Sequence, residues 1–532
     1  MFISEFPEDG AKLYGPPGTG KTWTMIELFK MAIEQGYSPY RMMMITYRKP
    51  MALGMASRLA ESVELPADLK LKDIAKTIHS VCWYHHFRAL KEQDPNISKI
   101  DYMTHVDWLK FSTESGYKML PGDEDDYTQA SPLHAAYSQA RSLRRGFDEI
   151  DLGNDNDVTV EMLVDVDKKL QEWKHRHGKH EYFDTLDFAI DTGFVPDVDV
   201  LLVDEAQDLT GQMHTLLLNW KQEIPCIILA GDYLQTIYPF YGASPEYMLN
   251  WDAPEITLPV SRRLHSEHWR LATSVIKGCT DYPIPEIQTR GTGGNIDVIC
   301  SDAAPIATKK HLHEGAIFHM ARTNSLCRRV AERLASEGVV FGGKSGIGWN
   351  ETEMYAYNGI QKLRKNRAPN ISELKAIAML YKTSYYLLPA VTRNKIEEPG
   401  HKLTSKDIYS FVSPYTHMEW KKGNICFDMG SEKLDLLKMK FEGANRYGIE
   451  QVTKSSIKNV TVCTIHAGKG LEAPTQFLYN ELNTVTARSI NQADKLQEEA
   501  LVWYVGLTRA RDNLYIVDDF GNKAFPIPRV VM

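Results

Sequence analysis

Apolar runs that stop at polar or glycine residues divide this chain into predicted buried strands. Three lie in the first half, at residues 41–46, 198–203 and 224–230, and a shorter one at 12–14 leads into a glycine-rich loop. Continuous apolar strands of this kind are typical of parallel sheets that helices cover on both faces. Residues 22–35 have helical periodicity directly after the loop. The pattern therefore predicts a strand–loop–helix unit followed by further parallel strands.

The same pattern returns after residue 257, with predicted strands at 316–320, 460–465 and 513–517. Polar stretches with helical patterning interrupt each set of strands. We therefore predict an α/β fold class, with two parallel-sheet domains that each carry a mostly helical insertion. The predicted boundaries are 1–85 with 186–256 for the first domain, 86–185 for its insertion, 257–350 with 456–532 for the second domain, and 351–455 for its insertion.

Composition limits the class of protein. A chain of 532 residues is too long for one hydrophobic core. Its net charge of −8 means that any contact with nucleic acid depends on a local groove. No apolar stretch is long enough for a membrane span and no signal-peptide pattern opens the chain, so we expect a cytoplasmic protein, or a nuclear one in a eukaryote, without membrane contact. The seven cysteines are scattered without a CxxC pair, which argues against disulfide, zinc-ribbon and iron–sulfur frameworks.

The glycine-rich loop has the sequence GPPGTGKT, between a predicted strand and a predicted helix. This context is typical of a phosphate-binding loop, in which backbone N–H groups and a helix N-terminus surround an anion. We expect Lys21 to reach the β- and γ-phosphates and the Thr22 hydroxyl to bind Mg²⁺. The candidate nucleotide-binding residues of the loop are Gly15, Pro16, Pro17, Gly18, Thr19, Gly20, Lys21 and Thr22.

Two carboxylates follow the predicted strand at 198–203, in the sequence DEAQD. One carboxylate next to a phosphate loop can hold Mg²⁺ while its neighbour polarises the attacking water. We assign Asp204 to the metal and Glu205 to the general base. Gln235, four residues after Gly231, is expected to sense the γ-phosphate. Because inserted arginines stabilise the charge of a phosphoryl transition state, Arg263 and Arg509 are candidate clamps from the second domain.

Taken together, these segments resemble the UvrD/Rep/PcrA-like branch of superfamily 1 helicases. The segments TYRK at 46–49, TIHS at 77–80 and ARTN at 321–324 resemble further motifs of that branch. The resemblance implies two RecA-like domains of a P-loop NTPase that uses ATP and Mg²⁺. It implies 3′→5′ translocation on single-stranded DNA, unwinding of duplex, and binding to single-strand/duplex junctions. Replication or repair proteins are the implied partners, and we expect a monomer in isolation.

Positions that match the family's motifs acquire further expected roles. Glu472 stands where the family contacts the ribose, and Arg262 stands where the family stacks a tyrosine on adenine. An arginine can still stack through its planar guanidinium group. The family also has a glutamine upstream of the phosphate loop, whereas residues 1–14 contain none. The sequence therefore leaves the selectivity for the nucleotide base open.

Single strands are gripped by aromatic platforms together with contacts to the backbone. Tyr238 and Phe240 are the leading candidates because they follow Gln235 closely and would move with it. Many such aromatic residues in any fold belong to the core instead. The full set of candidate DNA-binding residues is Tyr47, His79, Tyr238, Phe240, Arg322 and His466.

Three alternatives to a DNA helicase share these sequence features. A translocase that displaces bound proteins from single strands without processive unwinding would have the same pocket. An RNA-directed motor stays open, because no residue visibly recognises a 2′-hydroxyl group. A catalytically silent scaffold is disfavoured because the candidate catalytic residues are intact, namely Lys21, Thr22, Asp204, Glu205, Gln235, Arg263 and Arg509.

Overall fold

The computed structural model describes residues 3, 5–47, 49–122, 130–150, 152, 158–343, 346–380, 418, 432–519 and 523–528. The chain divides into two compact units. The first unit contains Met1–Leu264, Ile276–Gly291 and Gln497–Tyr504. The second unit contains His265–Val275, Thr292–Leu496 and Val505–Met532.

The first unit is organised around a parallel six-stranded sheet. Its strands in spatial order are β3 (Ala75–Thr77), β2 (Met42–Thr46), β4 (Val200–Val203), β5 (Cys226–Gly231), β1 (Ala11–Tyr14) and β6 (Glu255–Thr257). Every residue of β2, β4 and β5 is buried, as expected for central strands covered on both faces. Because all strands are parallel, the loops that follow β1, β4 and β5 meet at one edge of the sheet.

Helices cover this sheet and extend from it. They are α1 (Lys21–Glu34), α2 (Lys49–Ser62), α3 (Leu71–Ile74), α4 (Ile78–Gln93), α5 (His105–Ser115), α6 (Pro132–Leu143), α7 (Val160–His177), α8 (Tyr182–Asp191), α9 (Gly211–Trp220) and α10 (Pro245–Leu249). Met25, Leu28 and Phe29 of α1 pack in the same core as the β2 and β4 side chains. Helices α5 and α7 bury a second apolar cluster that includes Trp108 and Trp173. The described part of the stretch at 86–185 therefore has its own helical core.

The second unit also has a parallel six-stranded sheet. Its strands in spatial order are β7 (Asn295–Ile299), β12 (Ala510–Val517), β11 (Ala473–Tyr479), β8 (Ile317–Ala321), β10 (Val460–Thr464) and β9 (Gly342–Gly343). The helices after residue 264 are α11 (Ser266–Ile276), α12 (Ala304–His311), α13 (Asn324–Ser336), α14 (Glu351–Arg364), α15 (Ile371–Leu380), Glu432–Arg446, Lys454–Asn459, Thr484–Ser489 and Ala493–Leu507.

Two apolar clusters occupy the second unit. One joins Cys327 and Leu334 of α13 to Val462 of β10 and Phe477 of β11. The other is formed by helices of the stretch at 351–455 and contains Trp349, Tyr357 and Phe441. Residues 381–417 and 419–431 of the insertion predicted there lie outside the described residues.

The predicted fold class, two parallel-sheet α/β domains, is confirmed. The strands predicted at 41–46, 198–203, 224–230, 316–320 and 460–465 begin and end within two residues of the observed β2, β4, β5, β8 and β10. The sequence pattern did not indicate β3, β6, β7, β9 or β11. None of the helices in the described ranges combines the length and the apolar character of a membrane span.

Candidate nucleotide site and nucleic-acid interface

The loop between β1 and α1 is held in a concave shape by backbone contacts. Gly15 N donates to Gly231 O at 3.0 Å, which ties the loop to β5. Gly18 and Gly20 have φ of +78° and +86°, in the left-handed region that favours glycine. Lys21 begins α1, and its Nζ donates to Gly15 O at 2.6 Å. The lysine therefore lies across the loop opening, where it can meet a phosphate.

The segment that follows β6 packs directly on this loop. Ser261 Oγ donates to Pro17 O at 2.7 Å, and Arg262 N donates to Gly18 O at 2.9 Å. A Cβ added at Gly18 would lie 2.3 Å from the Cβ of Arg263, so this close approach requires glycine. Arg263 belongs to the first unit, which corrects the expectation that it comes from the second domain. The reason is that β6 joins the first sheet beside β1, and the chain then crosses the phosphate loop.

Asp204 follows the last residue of β4 and lies beside helix α1, which follows the phosphate loop. The Thr22 hydroxyl donates to Asp204 Oδ2 at 2.7 Å. Burial and the neighbouring Glu205 carboxylate raise the pKa of Asp204 to about 6, although the Thr22 hydrogen bond opposes the shift. A hydroxyl oxygen and a carboxylate oxygen in contact are the ligand types that Mg²⁺ takes beside substrate phosphates. The residues present therefore fit a magnesium ion.

A chain of hydrogen bonds links Glu205 to Gln235. Gln207, fully buried, donates from Nε2 to Glu205 Oε2 and accepts at Oε1 from Asp232 N at 2.9 Å. Asp232 Oδ2 in turn accepts from Gln235 Nε2 at 2.7 Å. Glu205 itself has a φ of +56°, a conformation that costs a non-glycine residue about 1–3 kcal/mol. The candidate base and the candidate γ-phosphate sensor are thus parts of one polar network.

Aromatic rings follow this network along the chain. Tyr238 is buried, lies 6.2 Å from the ring of Tyr47 in a stacked arrangement, and meets Phe240 edge-on at 6.0 Å. Phe240 is partly exposed. His79 instead lies edge-on to Tyr182, and burial lowers its pKa to about 4. His79 is therefore neutral near pH 7, so it would not contact phosphates as a cation.

The remaining candidates lie in the second unit. Arg509 is buried, and its guanidinium donates to Val505 O and to Thr508 Oγ1, each at 2.9 Å. Glu472 is exposed and lies 4.0 Å from Arg511. Arg322 is partly exposed between β8 and α13, whereas His466 is buried after β10.

Two residues at the site were not recognised from the sequence. Gln207 lies within the DEAQD segment, but its role as the link between Glu205 and Asp232 depends on the position of β5. Trp23 follows Thr22 in the chain, and the Arg262 guanidinium lies 5.7 Å from its ring centroid. The one signal that the sequence offers for Trp23 is its place directly after the phosphate loop.

This arrangement defines the class of protein. A phosphate loop between a strand and a helix, with a lysine at the start of that helix, is the first part of a P-loop nucleoside triphosphatase. The second part is a carboxylate at the end of a neighbouring strand, here hydrogen-bonded to the threonine that follows the lysine.

Comparisons with known proteins identify the family. The UvrD/REP helicase N-terminal domain matches residues 4–254, and the UvrD-like helicase C-terminal domain matches residues 435–518. The putative ATP-dependent DNA helicase YjcD of Bacillus subtilis is 21% identical over 94% of this chain and 75% of its own length. The ATP-dependent DNA helicase PcrA of Leuconostoc citreum is 22% identical over 96% of this chain and 80% of its own length. For the ATP-dependent DNA helicase UvrD2 of Mycobacterium tuberculosis, the identity is 21% over 78% of this chain and 59% of the relative.

The chain belongs to the UvrD/Rep/PcrA-like family of superfamily 1 helicases. It is an ATP-dependent DNA helicase of that family, and the predictions of the family, of the enzyme class and of ATP use are confirmed.

Proposed function

We propose that this protein moves 3′→5′ along single-stranded DNA and opens duplex at single-strand/duplex junctions, driven by ATP hydrolysis. One observation carries the proposal. The candidate γ-phosphate sensor Gln235 and the aromatic residues Tyr238 and Phe240 lie in consecutive short turns of one segment. A change at the phosphates therefore reaches the aromatic platform through five residues of backbone, which supports coupling of hydrolysis to the grip on the strand.

Within the pocket, each residue has a separate task. Lys21 and the loop N–H groups bind the phosphates. Thr22 and Asp204 would hold Mg²⁺, which neutralises phosphate charge and polarises the γ-phosphoryl group when it is bound. Glu205 accepts the proton of the attacking water, and Arg263 lies next to the loop at Gly18, where its charge stabilises the phosphates.

The proposal also assigns roles to residues of the second unit. Arg509 supplies a second guanidinium to the phosphoryl transition state, and Glu472 binds the ribose. Arg322 and His466 contact the DNA strand. Glu472, His466 and Arg509 are supported by the match of residues 435–518 to the UvrD-like C-terminal domain. Arg322 is supported by its place in the ARTN segment at 321–324, which resembles a motif of the family.

The domain division is proposed from the same comparisons. The stretches at 86–185 and 351–455 are the insertions of the two RecA-like domains, and the protein acts as a monomer. The separate N-terminal and C-terminal family matches support two domains. The two insertions are supported by their own helical apolar clusters, one with Trp108 and Trp173 and the other with Tyr357 and Phe441. Light scattering at micromolar concentration, with and without a single strand, measures the oligomeric state.

ATPase measurements test the pocket and the platform together. Lys21→Ala is expected to reduce DNA-stimulated turnover by about 10²–10³-fold, the usual cost of losing a preorganised charge-stabilising group. Phe240→Ala should leave basal turnover unchanged and raise the single-strand concentration for half-maximal stimulation about tenfold, because one stacked base is lost. Tyr40→Ala, which removes an exposed ring elsewhere in the first unit, is the matched control. Wild-type turnover in Lys21→Ala would contradict the pocket assignment.

Tailed duplexes test the polarity and the unwinding. A 3′-tailed duplex should be separated faster than a 5′-tailed one in the presence of ATP. A preference for 5′ tails would contradict the proposed direction. Displacement of a bound protein without separation of either duplex would instead support the translocase that remodels complexes.

A further inference from the structure

A small cavity opens beside the phosphate loop in the first unit. Its volume is about 210 Å³, and its walls include Thr19, Gly20, Trp23, Leu258, Val260 and Arg262. Pockets that enclose a complete small-molecule ligand measure about 300–1,000 Å³, so this cavity holds only a part of a nucleotide. Because Thr19 and Gly20 also belong to the phosphate loop, a ligand with its phosphates in the loop extends its nucleoside end towards this cavity.

Two flat groups stand at this cavity. Trp23 has 47% of its surface exposed, although a ring of this size is normally well buried. The Arg262 guanidinium carbon lies 5.7 Å from the Trp23 ring centroid, within cation–π distance. Indole rings and guanidinium planes both stack on nucleobases. The exposed face of Trp23 is therefore a surface for a base, next to the site of the phosphates.

Apart from the Arg262 guanidinium, which faces Trp23, the walls of the cavity offer little to recognise the edge of a base. Leu258 and Val260 are aliphatic, and no carboxylate or amide side chain lines the cavity among the described residues. The Thr19 hydroxyl donates to Pro16 O at 2.8 Å, and the Thr24 hydroxyl donates to Gly20 O at 3.1 Å. Both hydroxyl protons are therefore donated to backbone carbonyls and are not available to a bound base.

Two backbone donors of the walls, those of Leu258 and Arg262, are used in the same way. Leu258 N donates to Tyr14 O at 2.8 Å, and Arg262 N donates to Gly18 O at 2.9 Å. Adenine and guanine differ in the donors and acceptors on their edges but share the same flat ring system. Sites that do bind a distinguishing polar group reject the wrong ligand by about 10⁴–10⁵-fold, and this requires groups aimed at that edge.

We propose that this cavity binds a purine base by stacking against Trp23 and Arg262, without distinguishing adenine from guanine, so that the protein hydrolyses GTP as well as ATP. Water attacks the γ-phosphorus, the bond to the β–γ bridging oxygen breaks, and GDP and inorganic phosphate are released. The inference rests on the proposed function, since it uses the same phosphate site and the same Glu205 base.

The test compares nucleotides in the wild-type protein at saturating single-stranded DNA. We expect kcat/KM for GTP within about tenfold of that for ATP, because the two nucleotides then differ only in the stacking energy of their bases. Fluorescent mant-ATP and mant-GTP, titrated without hydrolysis in EDTA, should show the same ratio in their dissociation constants. A preference for either purine greater than about tenfold would overturn the inference.

Variants of the tryptophan test the stacking itself. Trp23→Ala should weaken both mant-purines about tenfold and leave their ratio unchanged, whereas Trp23→Phe should restore most of the affinity. Tyr40→Ala serves as the control for loss of an exposed ring. Unchanged binding in Trp23→Ala would overturn the inference. If the protein hydrolysed ATP but not GTP, and Lys21→Ala abolished that hydrolysis, only this inference would be refuted. If DNA stimulated the hydrolysis of neither nucleotide, the proposed function would be refuted.

Discussion

At the scale of single residues, the site depends on a buried amide. Gln207 uses both ends of its side chain, one on Glu205 and one on the backbone of Asp232. A Cβ at Gly231 would lie 2.6 Å from Gln207 Oε1, so the glycine at the end of β5 leaves room for this amide. The sequence identifies Glu205 from its place after a strand, but it does not show that Gln207 holds that carboxylate.

The proposed role of Glu205 as the base predicts a separation of binding from chemistry. Glu205→Gln keeps the size of the side chain and one oxygen that can accept from Gln207, but it cannot accept a proton. We expect kcat to fall by about 10²–10⁴-fold, the usual contribution of a general base, with the affinity for mant-ATP nearly unchanged. Stopped-flow phosphate release measures the first quantity, and equilibrium fluorescence measures the second.

An exposed acid of the same unit provides the control. Glu223→Gln alters a surface carboxylate after α9 and should leave both quantities at their wild-type values. If Glu205→Gln weakened nucleotide binding as strongly as it slowed turnover, Glu205 would act in binding rather than as the base.

At the scale of elements, apolar runs predict central strands well and edge strands poorly. β2 and β4 are apolar along their length because both faces are covered. β6 (Glu255–Thr257) has no fully buried residue, and its pairing with β1 alone makes it a strand. β11 is central, yet it contains Thr475 and Gln476, both fully buried. Gln476 Nε2 donates to Gly506 O at 2.8 Å, so a distant partner makes this polar strand stable.

The connection between α7 and α8 depends on a buried ion cluster. Lys174 donates to Glu181 Oε2 at 2.9 Å and to Asp184 Oδ1 at 2.7 Å, and Arg141 contacts the same two carboxylates. Burial opposes the ionisation of Asp184, but Lys174 and Arg141 outweigh it and hold the pKa of Asp184 below its usual range. Asp184 is therefore ionised at neutral pH and depends on both Lys174 and Arg141.

Removal of the lysine is expected to destabilise the first unit. Lys174→Met removes one of the two cations that contact Glu181 and Asp184, and breaking a buried ion cluster in this way costs about 3–5 kcal/mol. In differential scanning calorimetry the transition of that unit should move down by at least about 5 °C. Lys168→Met, at an exposed position of the same helix, should shift it by less than about 1 °C. Equal shifts in the two variants would show that the cluster contributes no special stability.

At the scale of the whole molecule, several histidines are enclosed in the neutral form. Burial lowers the pKa of His86 and of His134 to about 4, and that of His319 to about 3. The unfolded chain binds protons at histidine near pH 6.5, so below that pH it takes up protons that the folded protein does not. The free energy of unfolding therefore falls as the pH decreases from about 6.5 towards the folded pKa values.

His319 shows why protonation is resisted, and it provides the sharpest test. Thr308 Oγ1 donates to Ala304 O at 2.7 Å, so it can only accept from His319 Nε2, which lies 3.0 Å away. His319 Nδ1 then accepts from the Tyr479 hydroxyl, also at 3.0 Å. A second ring proton would have to displace that hydroxyl proton inside a fully buried site.

His319→Gln replaces the ring by an amide that does not titrate. Each such histidine contributes up to about 1.4 kcal/mol per pH unit in this range, so the wild-type protein should lose about 2 kcal/mol more than the variant between about pH 6.5 and pH 5. Calorimetric melting across that range measures the difference. His313→Gln, at an exposed position of the same unit, should follow the wild-type slope. A slope in His319→Gln as steep as in the wild-type protein would mean that His319 takes up its proton without unfolding, and that the neutral buried ring is not a source of acid lability.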